Sequence, residues 1–310
     1  MAIVDLRQMT SQQLEPLLEE EARHWREELR WDYRASLELI KKFLDARSLA
    51  GCAAVEDGEL AGYCFYVLEE HKGLAGGLFV SPRFSQPAIG RKLLGEMLAT
   101  LRAIPRIQRI EAQLMPFGCV FDPVLVEHGF RLYTRQFMLL PLAEARTAGA
   151  PLSAGLRLER WQDRDFEPCA RLIRLAYANH VDSEVNDQYR SDAGALKFLK
   201  NIVILPGCGQ FQPEASFVLR AIASDSPVGV VLTSAVSSDV GHTTQICVMP
   251  GYQGHGLGRQ VMEASIQALR SRRFSALSLT VTSVNANAVR LYEHLGFRTI
   301  KTFAAGVWQA

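Results

Sequence analysis

Four glycines lie close together in the segment VMPGYQGHGLGRQVM, which runs from Val248 to Met262. The segment follows an apolar run and precedes residues with the apolar spacing of a helix, so the glycines stand at a predicted helix start. The first N–H groups of a helix have no partner within it and carry the positive end of the helix dipole. Glycines let a ligand approach such a backbone closely. The pattern therefore predicts an anion-binding loop suited to phosphate.

Two common phosphate-binding patterns do not fit this loop. A P-loop requires GxxxxGK[ST], and no Lys-Ser or Lys-Thr follows these glycines. The dinucleotide pattern GxGxxG fails because its sixth position is Arg259 when counted from Gly254 and Val261 when counted from Gly256. The pattern that remains is QxxGxG, which begins at Gln253.

A second pattern follows in the segment NANAVRLYEHLGF, from Asn285 to Phe297. Its apolar residues recur at helical spacing and predict a short helix. In this order, the two patterns resemble the GCN5-related N-acetyltransferase (GNAT) family. That family carries Q/R-x-x-G-x-G/A at the loop that binds the pyrophosphate of acetyl-CoA, and often N-x-x-A-x-x-L-Y-x-x-x-G-F further along. The resemblance covers roughly residues 156–310.

The resemblance implies a role for each matching residue. The backbone of Ile246, Cys247 and Val248 would pair with the pantetheine arm of acetyl-CoA, and an N–H near Val248 would stabilise the carbonyl oxygen as charge develops on it. Asn285 would hydrogen-bond the cofactor arm, and Tyr292 would protonate the departing CoA thiolate. The pyrophosphate would be bound by the backbone N–H groups of Gln253, Gly254, His255, Gly256, Leu257, Gly258 and Arg259, with side-chain donors from the first and last of these.

Several of these residues also have simpler structural interpretations. Tyr292 lies on an apolar helix face, where a core tyrosine is common. Asn285 is placed to cap the predicted helix. Cys247 fits as a small core residue, and His255 as a surface side chain of the loop.

The sequence leaves the general base open. The segment YANHVDSEVNDQYR, residues 177–190, follows the first predicted helix of this half, where the acceptor pocket of GNAT proteins often lies. A charge-rich loop is also typical of a solvated surface, and a water chain is a further alternative to any side chain. The candidate bases are His180, Asp182, Glu184, Asp187 and His242.

The chain contains an internal duplication. LFVSPRFSQPAIGRKLL, residues 78–94, and ICVMPGYQGHGLGRQVM, residues 246–262, share a proline, an aromatic residue and a Gly-Arg pair at an offset of 168. VEHGFRLY, residues 126–133, and YEHLGFRTI, residues 292–300, match at an offset of 167. Two matches at nearly one offset indicate a repeat of domain size. The Ala-, Gly- and Pro-rich segment 143–155 is the expected join.

The alternation of strand and helix patterns predicts an α/β (α+β) fold. We expect two tandem GNAT-like domains, residues 1–145 and 155–310, each a mixed, mostly antiparallel twisted sheet flanked by helices. In the second copy, strands are predicted at 156–161, 216–222, 228–234, 242–249 and 276–284, and helices at 166–178, 258–270 and 287–295.

The first copy departs from the motifs at the positions that matter most. Relative to the second copy it carries Ser85, Pro87, Ala88, Gly118 and Leu125 in place of the loop donors, the asparagine and the tyrosine. Proline lacks an N–H, and leucine has no proton to give a thiolate. We expect a non-catalytic copy that braces the active half, shapes the acceptor site or retains weak CoA binding.

Composition narrows the class of protein. The 310 residues exceed one ordinary core, and the net charge of +1 gives no reason to expect a nucleic acid partner. No apolar run is long enough to cross a bilayer and the N-terminus lacks a signal pattern, which predicts a cytoplasmic protein without membrane contact. The six cysteines form no CxxC and the histidines no HExxH, so we expect reduced, buried thiols and no metal.

These observations predict an acetyl-CoA-dependent N-acetyltransferase with one working site, in the C-terminal half. Its acceptor would be a small-molecule or peptide amine. A CoA-binding sensor or scaffold without turnover is the alternative, and an enzyme for a longer acyl group is another. Two tandem copies are expected to form a monomer that packs as a pseudo-dimer, or a homodimer.

Overall fold

The computed structural model describes residues 1–84, 86–149 and 151–310, so the comparison of Ser85 with Gln253 lies outside the described residues. The strands are β1 (Ala2–Asp5), β2 (Gly51–Glu56), β3 (Glu59–Glu69), β4 (Lys72–Val80), β5 (Arg109–Gln113), β6 (Arg131–Pro141), β7 (Leu156–Arg160), β8 (Gln210–Phe211), β9 (Phe217–Ala221), β10 (Pro227–Ala235), β11 (Val240–Val248), β12 (Ala276–Thr282) and β13 (Arg298–Gln309). The helices are α1 (Ser11–Leu29), α2 (Arg34–Asp45), α3 (Gln86–Arg102), α4 (Asp122–Glu127), α5 (Phe166–Ala176), α6 (Asp182–Val185), α7 (Asp192–Ile204), α8 (Leu257–Ser271) and α9 (Ala286–Leu295).

The chain divides into two compact units. The first comprises residues 1–135 and 302–310, and the second residues 136–301. The end of β13 therefore belongs to the first unit, where its residues 305–309 pair antiparallel with β5. The domain boundaries predicted from the repeat, 1–145 and 155–310, stay a prediction about the extent of the duplicated sequence. None of the described helices combines the length and the apolar composition that crossing a bilayer requires.

The first unit is a sheet with the strand order β1-β2-β3-β4-β5-β13. Only β4 and β5 run parallel within it, with Lys72 opposite Arg109 and Ala75 opposite Ala112. Side chains alternate between two apolar clusters along the strands. Leu78 and Val80 pack in the cluster that contains α3, whereas Phe79 packs with α1 and α2.

The second unit repeats this arrangement. Its strands follow the order β6-β12-β11-β10-β9-β7, with β8 paired to β10 and with residues 136–141 of β6 in this unit. β11 and β12 run parallel, whereas the pairs β10–β11, β9–β10 and β7–β9 are antiparallel. The mixed, mostly antiparallel sheet with flanking helices confirms the predicted fold class.

The duplication is visible in the strand register. The parallel pairing in the first unit begins with Lys72 opposite Arg109, and that in the second unit begins with Val240 opposite Ala276. These pairs lie 168 and 167 residues apart, which are the offsets of the sequence matches. Both units therefore place a parallel pair at corresponding residues.

The cysteines do not all lie in the core. All six are free, and Cys64, Cys169 and Cys247 are buried. Cys119 and Cys208 are exposed, so the expectation of buried thiols is wrong for these two. Cys119 follows the turn Met115–Phe117, and the adjacent Val120 is itself 53% exposed, so an apolar sequence neighbour did not indicate burial here.

Glu21 is a fully buried carboxyl group in α1. It accepts hydrogen bonds from the Tyr63 hydroxyl and, at 3.3 Å, from the indole N–H of Trp25. Burial raises its pKa to about 7, because the charged form would lose its hydration, and the two hydrogen bonds offset this rise only in part. The group is therefore largely protonated in the folded protein below neutral pH.

We expect Glu21 to make folding stability fall as the pH rises from about 4.5 to about 7. The unfolded chain releases this proton near pH 4.5 and the folded chain only near pH 7. The free energy of unfolding therefore falls by about 3 kcal/mol across this window. In Glu21→Gln this loss should disappear, and the variant should be the more stable protein at neutral pH. Urea unfolding at a series of pH values measures the free energy of unfolding of both proteins.

Glu19→Gln is the matched control, since Glu19 lies exposed on the same helix. Its free energy of unfolding should follow the wild-type pH dependence. The same pH dependence in Glu21→Gln as in wild type would contradict the assignment.

Candidate functional site

The two central strands of the second unit pair only over their first residues. The register runs from Val240 opposite Ala276 to Thr243 opposite Leu279, although β11 continues to Val248 and β12 to Thr282. Beyond this point the strands separate. β11 meanwhile stays paired with β10 as far as Val248. One edge of β11 therefore carries backbone groups that no strand satisfies.

Successive residues of a strand direct their backbone groups to opposite edges, and this alternation identifies the unsatisfied groups of β11. Met249 donates its N–H to Val228 at 2.8 Å, on the β10 side, so Ile246 and Val248 direct their backbone groups to the open side. Two side chains use the carbonyls there. Tyr177 donates its hydroxyl hydrogen to Ile246 O at 3.1 Å, and Gln253 donates Nε2–H to Val248 O at 2.9 Å. The N–H of Val248 remains as a donor into the opening.

The glycine loop supplies a run of further donors. The N–H of Gln253 already bonds to Pro250 O at 3.2 Å, but among the described residues the N–H groups from 254 to 259 donate to no protein acceptor. Gly254 and Gly256 have φ of 81° and 74°, which favour glycine, and a Cβ at either would project into open space. Gly256 is also the N-cap of α8 and provides no capping side chain. The loop presents an uncapped helix start to whatever lies beside it.

The side chains of Gln253 and Arg259 already donate hydrogen bonds to other groups of the protein. Gln253 bonds to Val248 O, as described above. Arg259 donates Nε–H to Glu263 at 2.7 Å and an NH₂ hydrogen to Arg146 O at 3.1 Å. Burial acts to raise the pKa of the Glu263 carboxyl, but the guanidinium and the N–H groups of Ala148 and Gly149 together lower it below the ordinary value. The anion-binding capacity of the loop therefore rests on backbone N–H groups.

The loop, the open strand edge and α9 enclose a cavity of about 580 Å³. Nearly all residues singled out from the sequence line it, whereas His255 is exposed and does not. The predicted residues that line it are Ile246, Cys247, Val248, Gln253, Gly254, Gly256, Leu257, Gly258, Arg259, Asn285 and Tyr292.

Tyr292 and Cys247 both line this cavity. Tyr292 is 6% exposed and packs edge-on against Phe297, with ring centroids 5.8 Å apart. Burial raises the pKa of its phenol well above the ordinary value, and the charge of Asp182 adds to the rise. Burial likewise raises the pKa of the Cys247 thiol. Both groups hold their protons at neutral pH, which suits a proton donor and disfavours a cysteine nucleophile.

Asn285 caps α9. Its Oδ1 accepts the N–H of Ala288 at 3.3 Å, and the helix ends at Gly296 with a left-handed φ of 102°. The capping interpretation from the sequence is confirmed. The same residue lines the cavity, so the cap fixes where its amide nitrogen lies.

An aromatic cluster borders the far end of the cavity. Tyr177 stacks on Tyr189 with centroids 4.5 Å apart and meets the ring of His180 edge-on at 5.3 Å. Tyr177 and His180 line the cavity. The N–H of Asp182 donates to His180 Nδ1 at 3.1 Å, so a neutral His180 carries its proton on Nε2.

The other candidate bases lie elsewhere. Glu184 is exposed and forms an ion pair with Arg190 at 3.0 Å. Asp187 lies outside the cavity lining, in the turn after α6. His242 is 8% exposed, with Nδ1 2.9 Å from Ser278 Oγ. It is a core residue of β11.

Sequence patterns did not mark every residue of the cavity. Ala176, Tyr252, Asn287, Ala288 and Leu291 line it without having been assigned to it. The last three lie in the asparagine–tyrosine motif, on the helix face that also carries Tyr292. The helical spacing of that motif could have identified them from the sequence. Ala176 is the last residue of α5, and no local pattern connects it to a motif more than a hundred residues away. Tyr177, the C-cap of α5, opens the segment 177–190, which the resemblance placed near the acceptor pocket. Across the described ranges, no cluster of three or more His, Cys, Asp or Glu side chains is arranged to hold a metal.

The corresponding place in the first unit is filled. Phe121 is 2% exposed, and a Cβ at Gly90 would lie 2.3 Å from its ring. At the repeat offset of 167, Phe121 corresponds to Ala288, which lines the cavity of the second unit. Leu125, the counterpart of Tyr292, is also buried in the core. The ring therefore lies directly against α3 at Gly90, whereas a Cβ at the corresponding Gly258 of α8 would meet Leu291 only at 3.5 Å.

A known family matches both halves of the chain. The model described as acetyltransferase (GNAT) family matches residues 7–116 and 179–297. These two regions cover more than half of the 310 residues and correspond to the two copies of the repeat.

Several curated relatives are named mycothiol acetyltransferase. A mycothiol acetyltransferase of Beutenbergia cavernae is 27% identical over 163 residues, which are 52% of this chain and 51% of the relative. The matched part thus spans about half the length of that relative. A mycothiol acetyltransferase of Thermobispora bispora is 30% identical over 249 residues, 77% of each chain.

A solved structure shares the fold. The tandem GNAT protein from the clavulanic acid biosynthesis pathway superposes with a TM-score of 0.64, covering 99% of this chain and 98% of its own. The identity is 14%, so this likeness concerns the fold alone.

The two candidate histidines should differ in their effect on stability. His242→Ala removes a buried ring that stacks on Phe137 at 5.8 Å and bonds to Ser278, so we expect a loss of about 2 kcal/mol or more in the free energy of unfolding. His180→Ala removes a half-buried ring and one hydrogen bond, so about 1 kcal/mol or less is expected. Urea unfolding measures both, and equal losses would contradict this assignment.

Proposed function

Because this chain belongs to the acetyltransferase (GNAT) family, we propose that it is an acetyl-CoA-dependent N-acetyltransferase whose working site is the cavity of the second unit. The acceptor in this proposal is a primary amine of a small molecule or peptide. The observation that carries it is the junction of the open edge of β11, the uncapped glycine loop and Tyr292 in one cavity. The two mycothiol acetyltransferase relatives support acetyl transfer by their names.

The residues present fit acetyl-CoA. A pyrophosphate needs several N–H donors at a helix start, and the run from 254 to 259 offers them without a competing protein acceptor among the described residues. A pantetheine arm needs an extended backbone edge with which to pair, and β11 exposes one after Thr243. Bound in this place, acetyl-CoA would supply the thioester that the amine attacks.

Different groups of the protein would stabilise charge, donate a proton and form the wall of the cavity. The Val248 N–H points into the opening and would donate to the thioester oxygen as negative charge develops there. Tyr292, held protonated by burial, would give its proton to the departing sulfur. Cys247 provides an apolar wall, since its protonated thiol is a poor nucleophile.

The filled cleft of the first unit supports a single cofactor site. Phe121 occupies the space corresponding to that beside Ala288, and Pro87 removes a donor at the start of α3. Leu125 offers no proton where the second unit has Tyr292. We therefore assign the first unit a structural role and the second unit the reaction.

We expect one acetyl-CoA per chain in calorimetric titration and no measurable binding to Gly256→Val. A side chain at this left-handed position strains the backbone and projects into the space in which the pyrophosphate would lie. Gly251→Val is the control, because a Cβ there meets nothing within 4 Å and its φ is not positive. Circular dichroism verifies that both variants fold.

Unchanged affinity in Gly256→Val would contradict the cofactor site. Binding of two acetyl-CoA molecules by wild type would show that the first unit opens despite Phe121.

Tyr292→Phe should lower kcat/KM about 10²-fold or more while the Kd for acetyl-CoA stays the same. The change removes one hydroxyl and leaves the ring packed on Phe297, so the fold and the binding surface remain. Release of the CoA thiol measures turnover and calorimetry the affinity. An equal loss in both would point to a binding role instead of proton donation.

A further inference from the structure

Cys52 and Cys64 face each other across strands β2 and β3 of the first unit. They are direct partners in the antiparallel register, and their sulfurs lie 3.5 Å apart. Cys64 lies in the apolar cluster that contains α3, and Cys52 packs against this cluster. Among the described residues, no second pair of cysteines makes a sulfur–sulfur contact. The two thiols are therefore the one such pair that could react with each other without a rearrangement of the fold.

The backbone geometry of this pair suits a disulfide. Tyr66 donates its N–H to Ala50 O at 3.0 Å, and hydrogen-bonded pairs recur at every second residue of an antiparallel ladder. Cys52 and Cys64 therefore form such a pair, in which the Cα atoms are about 5.5 Å apart. This separation is among the most common in disulfides. Bond formation requires the sulfurs to approach by about 1.5 Å, which is within reach of small changes in the side-chain torsions.

The two cysteines differ in exposure and in hydrogen bonding. Cys64 is fully buried, and its S–H has two acceptors in reach, the Cys52 sulfur and Leu93 O at 3.3 Å. Hydrogen bonding to Cys52 and burial hold the pKa of the Cys64 thiol well above its ordinary value. Donation by Cys64 lowers the pKa of the half-buried Cys52 thiol, although burial and nearby acidic side chains oppose it. The thiolate, which is the reactive form, therefore develops at Cys52, the more accessible sulfur.

We propose that Cys52 and Cys64 are a peroxide-responsive site, in which a hydroperoxide oxidises Cys52 and Cys64 then closes a reversible cross-strand disulfide. This inference does not depend on acetyl transfer, because both residues lie in the first unit and neither lines the cavity of the second. The disulfide would close a ring over residues 52–64, which include the turn between β2 and β3. Such a ring restricts the unfolded chain and so stabilises the first unit.

The oxidation takes place in two steps. The Cys52 thiolate attacks one oxygen of hydrogen peroxide, the O–O bond breaks, and the departing hydroxide takes the proton that the Cys52 thiol released. Cys52 then carries a sulfenic acid. The Cys64 sulfur attacks the Cys52 sulfur, an S–S bond forms, the S–O bond breaks, and the hydroxide leaves as water with the Cys64 proton. Two thiols are thus oxidised to one disulfide, while one peroxide is reduced to two water molecules.

The first test uses the full chain with Cys119→Ser and Cys208→Ser, which removes the two exposed thiols and with them cross-links between molecules. Treatment with hydrogen peroxide should lower the intact mass by about 2 Da, and dithiothreitol should restore it. Free thiols are then blocked with N-ethylmaleimide and the unfolded protein is digested with a glutamate-specific protease. Cleavage at Glu56 and Glu59 separates the two cysteines in the chain, so only a disulfide keeps their fragments joined.

The second test assigns the two roles with dimedone, which alkylates sulfenic acids, in single variants of the same background. Cys64→Ser should accumulate the adduct at Cys52, because the second sulfur is missing while the serine hydroxyl can still donate to Leu93 O. Cys52→Ser should give at least about 10-fold less adduct at Cys64, which is buried and protonated. Peroxide should also raise the Tm of the background protein by about 5 °C and that of neither single variant.

Three results would each overturn part of this inference. Fragments that separate after peroxide treatment, at a dose that labels Cys52 in Cys64→Ser, would exclude the disulfide. Equal labelling of Cys64 in Cys52→Ser would exclude the assigned order of oxidation. A disulfide that leaves the Tm of the background protein unchanged would exclude the stabilising role. Binding of acetyl-CoA by the second unit should be the same in the reduced and oxidised protein, so none of these results bears on the proposed function.

Discussion

The early end of the pairing between β11 and β12 is the constraint on which the site depends. A strand edge that loses its partner must satisfy its polar groups elsewhere, because unpaired backbone groups are costly to bury. The carbonyl of Ile246 is satisfied by Tyr177, and that of Val248 by Gln253. These two bonds also tie α5 and the glycine loop to the strand. What remains unpaired, the N–H of Val248 and the uncapped start of α8, faces the same cavity.

The first unit shows what the same topology becomes when that opening is filled. Its parallel pair occupies the corresponding register, and a buried phenylalanine, Phe121, lies against Gly90 at the start of the following helix. Filling a cavity with an aromatic ring gains packing energy and removes the need for a ligand. A cavity left open in the second unit gives up that packing. Such a cost is expected where a ligand completes the structure.

The basic side chain at the glycine loop already has partners within the protein. Arg259, the one strongly basic side chain at the glycine loop, is neutralised by Glu263 and held by the carbonyl of Arg146. Binding of a pyrophosphate would therefore depend on backbone dipoles, whose positions are fixed by the fold.

The sequence by itself determined the features that are local: the glycine loop before α8, the capped helix that carries Tyr292, and the repeat offset that the strand register reproduces. The loop and the helix each depend on residues within a few turns of one another, and the offset on the comparison of two such segments, so spacing and residue type are sufficient. Only the tertiary structure decided which of these groups already have hydrogen-bond partners within the protein. Gln253 and Arg259 appear as phosphate donors in the sequence, yet their partners, Val248 O and Glu263, are chosen by packing. The same holds for Phe121, for Asp182 beside Thr282, and for β13, whose last residues pair with β5 almost two hundred residues earlier. Such contacts join segments far apart in the chain, and no periodicity in the sequence encodes them.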